Sequence, residues 1–265
     1  MFKQLLMVVC FSLCIGALFL YTFQRRLIYF PLQQTPLLRD YQATDLTVVE
    51  LQIKDNLKLM SWYKPAINKL PTVLILHGNA GHIGYRMPLA RQFINAGFGV
   101  FLLEYRGYGG NKGSPTEAGL YEDGRTALHF LYQHGVKPKQ IVLYGESLGT
   151  GIATKLAVEN HVCAVILQSP FTSLVSLSRY HYPWLIIKPW DRFNSLARIK
   201  QIHAPLLVLH GTHDQVVPFT EGLTLFNDAN EPKKMLQFDE KNHNDLLSAH
   251  GFFEEIIQFV QANCL

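Results

Sequence analysis

The stretch QIVLYGESLG, residues 140–149, decides the fold, because an apolar, β-branched run leads directly into the pentapeptide GESLG at 145–149. The residues that follow, 150–158, are helix-like, so the pentapeptide stands between a strand and a helix. In that setting the pattern G-x-S-x-G forms a sharp turn that exposes the serine above the sheet edge. Ser147 is therefore the candidate nucleophile. The alternative is a tight glycine turn with an ordinary exposed serine.

Short, continuous apolar runs follow residue 72, separated by amphipathic segments, and this pattern is typical of a parallel sheet buried on both faces. Before them, 45–53 and 57–64 alternate between apolar and polar residues, which predicts an antiparallel strand pair. The sequence thus predicts an α/β fold: a doubly wound, mostly parallel eight-stranded sheet with helices on both faces. The other strands are expected at 73–76, 99–103, 141–144, 164–167, 206–209 and 235–238, with helices near 83–96, 116–134, 147–158, 219–229 and 245–262.

The composition indicates one large α/β domain of 265 residues without disorder or repeats. The formal net charge of +4 is spread along the chain without blocks of Lys and Arg or interleaved aromatic residues. A nucleic-acid partner is therefore not expected.

An uncharged, mainly apolar run of 19 residues occupies 5–23, between Lys3 and the pair Arg25-Arg26. As a helix it would be about 28 Å long, which matches the hydrocarbon core of a bilayer. We expect an uncleaved membrane anchor here. The alternatives are a cleaved signal peptide, which usually has a shorter apolar region, and a buried core helix. The charges at the two ends roughly balance, so the orientation in the membrane stays open.

This run divides the chain into three predicted parts. Residues 1–25 form the anchor, and residues 26–44 form a linker that contains Pro31 and Pro36. Residues 45–265 form the α/β domain. A membrane partner is expected through the anchor and an acyl ester, small or lipidic, through the domain.

Four cysteines do not form the pattern of a disulfide framework. Cys10 and Cys14 lie within the apolar run, Cys163 lies in a predicted buried strand region, and Cys264 is penultimate. Four unpaired thiols are expected, which leaves the redox compartment undecided. The spacing of Cys, His and carboxylate residues predicts no metal site, and no cofactor is expected.

The loop HGNAG at 77–81 follows the predicted strand 73–76. Attack of a serine on a carbonyl needs two backbone N–H groups that point to the oxygen as it becomes negative. We assign these groups to Asn79 and to Leu148, the residue after the candidate nucleophile. The alternative is a glycine-rich turn before the next helix.

The candidate acid lies in HGTHDQVVP at 210–218, after the strand 206–209. Asp214 would accept the Nδ1 proton of a catalytic histidine and stabilise the imidazolium. The alternatives are a turn or helix-capping role for Asp214, with Asp239 and Asp191 as the next candidate acids. Two further histidines of this region, His210 and His213, are expected to serve packing and loop structure.

The candidate base is His243, in the polar loop 239–245 after the last predicted strand. It would take the Ser147 proton and return it to the leaving group. His250 is the competitor, but the apolar spacing around it predicts a position within a helix. The chain order Ser, Asp, His is the order expected for a nucleophile on a strand-to-helix turn of this fold.

Two further segments are predicted to shape the pocket. Residues 171–203 form an insertion that would cap Ser147 and favour an apolar part of a substrate; a cap that packs only on the domain is the alternative. The glycine-rich loop at 105–110 lines the pocket or serves as a turn, and no catalytic role is assigned to it. The aromatic residues of the insertion are Tyr180, Tyr182, Trp184, Trp190 and Phe193.

Together these motifs resemble the α/β-hydrolase superfamily over roughly 51–265. More narrowly, they resemble its single-pass membrane-anchored group, which includes eukaryotic protein depalmitoylases and uncharacterised bacterial serine hydrolases. The resemblance implies that Ser147, Asp214 and His243 form a catalytic triad, and His82 stands where that group often has asparagine. The strings that carry it are HGNAG at 77–81, YRGYG at 105–109, SPTE at 114–117, GESLG at 145–149, SPFTS at 169–173, HGTHDQVVP at 210–218 and HND at 243–245.

The sequence therefore predicts a membrane-anchored serine hydrolase that cleaves carboxylic esters or thioesters through an acyl-enzyme. A serine peptidase or amidase of the same fold is the second interpretation, because it would use the same triad. A catalytically silent scaffold that binds a lipid in the pocket is the alternative from another class. Acyl-chain length, leaving group and substrate-binding residues do not follow from the sequence.

Overall fold

The computed structural model of the protein describes residues 2–184 and 187–265, without the side chains of residues 9, 10, 13, 14 and 55. The strands are β1 (Phe30–Pro31), β2 (Thr47–Gln52), β3 (Lys58–Lys64), β4 (Thr72–Leu76), β5 (Ala80–Gly81), β6 (Gly99–Leu103), β7 (Ile141–Glu146), β8 (Ala164–Gln168), β9 (Leu206–Gly211) and β10 (Lys233–Phe238). The α-helices are α1 (Phe2–Phe23), α2 (Met87–Asn95), α3 (Glu117–Gln133), α4 (Leu148–Glu159), α5 (Leu174–His181), α6 (Leu196–Ile199), α7 (Phe219–Asp228) and α8 (Phe252–Cys264). Short 3-10 helices lie at Gln24–Leu27, Leu38–Tyr41, Lys54–Asn56, Ile83–Arg86, Pro138–Gln140 and Leu246–Ser248.

Eight strands form the central sheet in the order β10-β9-β8-β7-β4-β6-β3-β2. The six strands from β10 to β6 are parallel, whereas β3 pairs antiparallel with β6 and with β2. The prediction of a mostly parallel eight-stranded sheet is confirmed, and the first two strands make the sheet mixed. They alternate in burial because they lie at the open edge of the sheet, where one face meets solvent.

Helices cover both faces of this sheet, and each face has its own apolar core. Successive side chains of β4 point to opposite faces, so that Leu74 and Leu76 enter one core while Val73 and Ile75 enter the other. The first core contains side chains of α3 and α4, and the second contains side chains of α2 and α8. All five residues of β4 are buried, which explains why the sequence shows continuous apolar runs instead of alternation.

The sheet reverses its direction of winding at β4. From β4 the chain moves to β6 on one side and then to β7, β8, β9 and β10 on the other. Leu76 at the end of β4 lies opposite Gly145 near the end of β7. Ligands of doubly wound sheets bind outside the carboxyl ends of the strands at such a point, and the predicted oxyanion loop and nucleophile turn both begin there.

The expected membrane anchor at 5–23 coincides in position with α1. Among the described residues, however, no helix is long and apolar enough to cross a membrane. The segment 26–44, expected as a linker, packs on the domain. Its strand β1 pairs in parallel with β5, and Tyr29 is buried.

Two details near the carboxyl terminus differ from the sequence-based expectations. The helix expected at 245–262 is interrupted, so that His250 lies in a turn before Gly251, whose φ of 75° separates the 3-10 helix from α8. The thiols of Cys163 and Cys264, expected to be unpaired, form a disulfide across a Cα–Cα distance of 5.6 Å. The end of α8 reaches the residue that precedes β8, a proximity that sequence spacing does not reveal. Side chains of Cys10 and Cys14 lie outside the described part.

Candidate active site

Ser147 lies on a strained turn between β7 and α4. Its φ of 50° and ψ of −113° place it in a region that residues with a Cβ rarely adopt. The flanking glycines are required sterically, because a Cβ on Gly145 would lie 2.7 Å from the Gly149 carbonyl oxygen and a Cβ on Gly149 would overlap the Leu76 carbonyl. The turn places Ser147 at the end of β7, where it is buried instead of exposed and lines a cavity.

Two backbone N–H groups flank Ser147. Among the described residues, neither the Asn79 nor the Leu148 N–H donates a hydrogen bond to the protein. The Asn79 loop lies close to the serine, because a Cβ on Gly78 would be 3.6 Å from the Ser147 Cβ. Free donors on both sides of a serine can stabilise an oxyanion.

Two buried tyrosines of the loop 105–110 donate hydrogen bonds to backbone carbonyls of the Asn79 loop. The Tyr108 hydroxyl donates to the Asn79 carbonyl at 2.8 Å, and the Tyr105 hydroxyl donates to the His77 carbonyl at 3.1 Å. Both tyrosines are fully buried. Of the two interpretations of this loop, the structure supports a structural turn, and it adds a positioning role that the glycine spacing did not reveal.

The segment that follows α1 also forms hydrogen bonds with the Asn79 loop. The Phe30 N–H donates to the Asn79 carbonyl at 2.9 Å, and the Asn79 side-chain amide donates to the Ile28 carbonyl at 2.9 Å. The Leu32 N–H adds a third bond, to the Gly81 carbonyl at 3.1 Å. Because backbone pairing of two residues leaves no side-chain pattern, the sequence did not predict this contact.

Arg86 connects the oxyanion loop with the nucleophile turn. Its guanidinium donates two hydrogen bonds to Glu146, at 2.9 and 2.8 Å, and a third to the Ala80 carbonyl at 3.0 Å. Burial alone would raise the pKa of Glu146, but the Arg86 charge outweighs it and the pKa is lowered. The residue before Ser147 is thereby held as a carboxylate. Arg86 was not predicted as a site residue.

Loop 77–82 ends at His82, where the group that this sequence resembles often has asparagine. The His82 Nδ1 accepts the Gly84 N–H at 3.2 Å and so caps the 3-10 helix Ile83–Arg86. Burial lowers the pKa of His82. This histidine therefore shapes the entry into α2.

Asp214 and His243 form the hydrogen-bonded pair that the sequence predicts. The distance from His243 Nδ1 to Asp214 Oδ2 is 2.7 Å. Asp214 Oδ1 accepts the Val216 and Val217 N–H groups at 2.9 and 2.8 Å. Burial opposes the charge on Asp214, but hydrogen bonds from His210 and His243 outweigh it and hold its pKa far below the usual range. Asp214 is therefore an ionised acceptor for the imidazole.

The acid and base loops are joined to each other at the ends of β9 and β10. The His213 N–H donates to the Lys241 carbonyl at 3.0 Å, and the Asn242 side-chain oxygen accepts the Gln215 and His243 N–H groups. These bonds fix His243 relative to Asp214. The base lies on a loop because the polar run that follows β10 buries little apolar surface.

The other candidate acids and base lie elsewhere. Asp191 accepts hydrogen bonds from Arg25 and from the Tyr29 hydroxyl, and Asp239 is exposed in the turn after β10. His250 lies in the turn before α8. None of the three is bonded to His243 or Ser147 among the hydrogen bonds of the described residues.

An apolar cavity of about 280 Å³ opens beside Ser147, Leu148 and Asn79. Val216 and Val217, which donate to Asp214, also line it. Within the described chain, no hydrogen bond joins Ser147 Oγ to His243. Ser147 lines the cavity directly, whereas Asp214, which is bonded to His243, adjoins it through Val216 and Val217. Apo hydrolases often have long or poorly aligned contacts between nucleophile and base.

The insertion 171–203 forms one wall of this cavity, and the end of α1 forms another. Of the five aromatic residues of the insertion, Tyr182 lines the cavity, and Phe193 packs against Tyr121 under the insertion. One part of the insertion therefore lines the cavity, as a cap would, and another part packs only on the domain. Apolar or partly apolar side chains from the two walls are Leu20, Leu27, Ile28, Phe171, Leu174, Leu177, Tyr182, Ile187 and Pro189.

The site has no cluster of protein groups suited to a metal ion. Across residues 2–184 and 187–265, no group of three or more His, Cys, Asp or Glu side chains is arranged to hold one.

Fold and site define a hydrolase of the α/β-hydrolase fold, of the serine-hydrolase type, and comparisons with known proteins agree. The family Hydrolase_4, described as "Serine aminopeptidase, S33", matches residues 68–196. "Uncharacterized protein Rv2307c" of Mycobacterium tuberculosis is 39% identical, over 92% of this chain and 89% of that protein. "Protein bem46" of Schizosaccharomyces pombe is 33% identical, over 92% and 88%.

Among solved structures, the Pyrococcus furiosus esterase Pf2001 has a similar fold, with a TM-score of 0.74 at 20% identity; the match covers 90% of this chain and 98% of the esterase. The chain belongs to the α/β-hydrolase superfamily, in the group that contains protein bem46 and alpha/beta hydrolase domain-containing protein 17B.

Proposed function

We propose that this protein cleaves carboxylic esters or thioesters with Ser147 as the nucleophile. The observation that carries the proposal is the ionised Asp214 bonded to His243 at 2.7 Å, next to Val216 and Val217, which line the same cavity as the strained Ser147. A serine on a strained turn beside an oriented imidazole is an activated nucleophile.

In the proposed reaction His243 removes the Ser147 proton as the hydroxyl attacks the carbonyl carbon. The Asn79 and Leu148 N–H groups stabilise the oxyanion, and Asp214 stabilises the imidazolium. His243 then protonates the leaving alcohol or thiol, and an acyl-serine remains. Water, activated by the same histidine, hydrolyses the acyl-serine and releases the acid.

An acyl chain is the substrate part that suits the cavity. Eleven of the 17 lining residues are apolar, and the polar ones are Gln24, Asn79, Ser147, Ser178, His181 and Tyr182. Burying an acyl chain there would contribute about 25 cal/mol for each Å² of apolar surface.

A fluorophosphonate probe tests the nucleophile. We expect the probe to label the wild-type protein and not Ser147→Ala, because phosphonylation needs the hydroxyl. Equal labelling of both proteins would contradict the proposal. The match to a family described as serine aminopeptidase makes a peptidase the second candidate. Turnover of matched acyl esters, acyl thioesters and peptide amides separates the two, and faster amide cleavage would favour the peptidase.

We also propose that the protein is attached to a membrane through its amino-terminal segment. Support comes from the apolar run 5–23 and from α1, whose large apolar side chains are between 52% and 80% exposed up to Phe19. The full chain is expected in the membrane fraction after high-salt washing. A chain without residues 1–19 should shift to the supernatant, and equal distribution of both chains would contradict the attachment.

A further inference from the structure

Aromatic side chains are exposed around the opening of the cavity, where the end of α1 meets the insertion 171–203. Each is between 42% and 71% exposed, far more than such side chains usually are in a soluble domain. We name this group the aromatic rim. It consists of Tyr21, Tyr180, Tyr182, Trp184 and Trp190.

Ring contacts arrange the aromatic rim in two groups, and each group adjoins the cavity. The Tyr21 and Trp190 rings meet edge to face at 4.9 Å, and the Trp190 backbone N–H donates to the Gln24 side-chain oxygen at 2.6 Å. Tyr182 contacts Trp184 at 6.3 Å between ring centroids. Gln24 and Tyr182 also line the cavity, so the rim and the cavity opening are continuous.

The surface around the aromatic rim is basic. Arg26 on the α1 side and three residues of the insertion, Arg179, Lys188 and Arg192, are exposed. The one carboxylate of the described residues 174–184 and 187–192, Asp191, is buried against Arg25 and Tyr29. A surface of this charge attracts anions.

We propose that the aromatic rim binds the surface of an anionic phospholipid bilayer, and that the cavity takes the acyl chain of its substrate directly from that surface. The second part rests on the proposed ester or thioester hydrolysis. Tyrosine and tryptophan are the side chains that prefer the headgroup level of a bilayer, and clustered Lys and Arg bind anionic headgroups.

The exposed apolar side chains of α1 also favour a lipid bilayer as the partner of the aromatic rim. The helix carries exposed apolar side chains around its circumference until it reaches Tyr21 and the rim. A lipid phase would cover these side chains and the rim together, whereas a protein partner would have to cover both a long helix and a cap. The acyl chain of a lipid in that phase would then reach Ser147 without crossing water.

Tryptophan fluorescence tests the contact on the full chain. Two of the three tryptophans, Trp184 and Trp190, lie in the rim, and Trp62 is buried in β3. With vesicles of phosphatidylglycerol and brominated phosphatidylcholine, we expect the loss of most rim emission. The matched variant Trp184→Phe/Trp190→Phe, in which Trp62 alone emits, should lose little. Equal quenching in both proteins, or none in either, would overturn the proposal.

Turnover separates this inference from the proposed function. Trp184→Glu should lower hydrolysis of a long-chain ester held in the vesicles by about tenfold, since it adds a charge at the lipid surface. Turnover of a soluble short-chain ester should not change, because Trp184 does not line the cavity. The control Ile67→Glu places the same charge on an exposed residue in the loop before β4, at the amino-terminal end of that strand. This control should change neither rate.

Four outcomes would be decisive. An equal loss for both variants, or a loss with the soluble ester alone, would overturn the inference while the hydrolase stands. Concentration-dependent self-association that protects the rim tryptophans in place of vesicles would overturn it too, because a second copy would then be the occupant. Quenching without turnover of either ester would contradict the proposed function and support the docking surface.

Discussion

At the scale of single residues, the backbone of Ser147 opposes stability. A residue with a Cβ at φ 50° and ψ −113° costs of the order of 1–3 kcal/mol. Ser147→Gly removes that strain but adds about 0.5–1 kcal/mol of chain entropy. We therefore expect Ser147→Gly to raise the free energy of unfolding by about 1 kcal/mol while activity is lost. Denaturant unfolding measures it. Ser147→Ala, which keeps the strain, is the control, and an equal gain in both variants would refute the explanation.

The Asp214 carboxylate is expected to influence catalysis mainly by orienting His243. Asp214→Asn keeps the size of the side chain but replaces one acceptor oxygen by an N–H donor, which disfavours the Nδ1–H tautomer. We expect kcat on a soluble ester to fall by about 10³- to 10⁴-fold. The exposed Asp239→Asn is the matched control. A loss below tenfold would indicate that another group orients His243.

The same aspartate makes stability depend on pH. The pKa of Asp214 is lowered in the folded protein, so its stabilising effect is complete above the unfolded pKa of about 3.9 and declines as the pH falls toward the folded pKa. We expect the difference in unfolding free energy between the wild type and Asp214→Asn to be constant from pH 5 upward and to shrink below about pH 4. Urea titrations at pH 6 and pH 3 compare the two. A difference that grows on acidification would reverse the sign of the argument.

At the scale of elements, β1 is the least expected part of the site. It pairs with β5 beside Asn79 and so holds the oxyanion loop. A chain without residues 1–33 lacks this pairing, whereas a chain without residues 1–19 keeps it. We expect kcat on a soluble ester to be at least about tenfold lower in the shorter chain, since one misplaced oxyanion donor costs about 10²–10³. Equal kcat in two folded chains would show that β1 is dispensable, and circular dichroism checks that both are folded.

Strands and loops differed in how well the sequence predicted them. The buried runs of β4, β6 and β7 are continuous, and their position in the chain places the following loops at one sheet edge. The sequence could therefore place Ser147, Asp214 and His243 as candidate site residues in loops at that edge. Arg86 and β1 could not be predicted, because an ion pair between distant segments and a two-residue backbone pairing leave no periodic signal.

At the scale of the whole molecule, the disulfide between Cys163 and Cys264 fastens α8 to the sheet. Constraint of the unfolded chain over its sequence separation of 101 residues is worth at most about 4.7 kcal/mol, of which disulfides typically contribute about 2–4 kcal/mol. We expect Cys163→Ser, Cys264→Ser and the double variant to lose this same amount in urea unfolding of oxidised protein. Losses that add in the double variant would contradict the bond. Peptide mapping without reductant should recover the two cysteines in one cross-linked species.

The disulfide was the whole-molecule feature that the sequence did not indicate. Four cysteines at wide spacing without a framework pattern favour free thiols. Only the packing of α8 across β8 brings the carboxyl terminus to Cys163. Short apolar runs and the direction of the chain predict the strands and the loops that follow them. The disulfide instead depends on where the carboxyl-terminal helix α8 ends, which no local pattern predicts.

The same bond has a consequence for cleavage of the chain. Asp214 and His243 lie inside the covalent ring that it closes, and Ser147 lies outside. A single protease cut between Cys163 and Asp214, for instance at the exposed Arg179, would leave both fragments tethered. Such a nicked molecule would migrate as one band on a gel until a reducing agent separated the piece that carries Ser147 from the piece that carries Asp214 and His243.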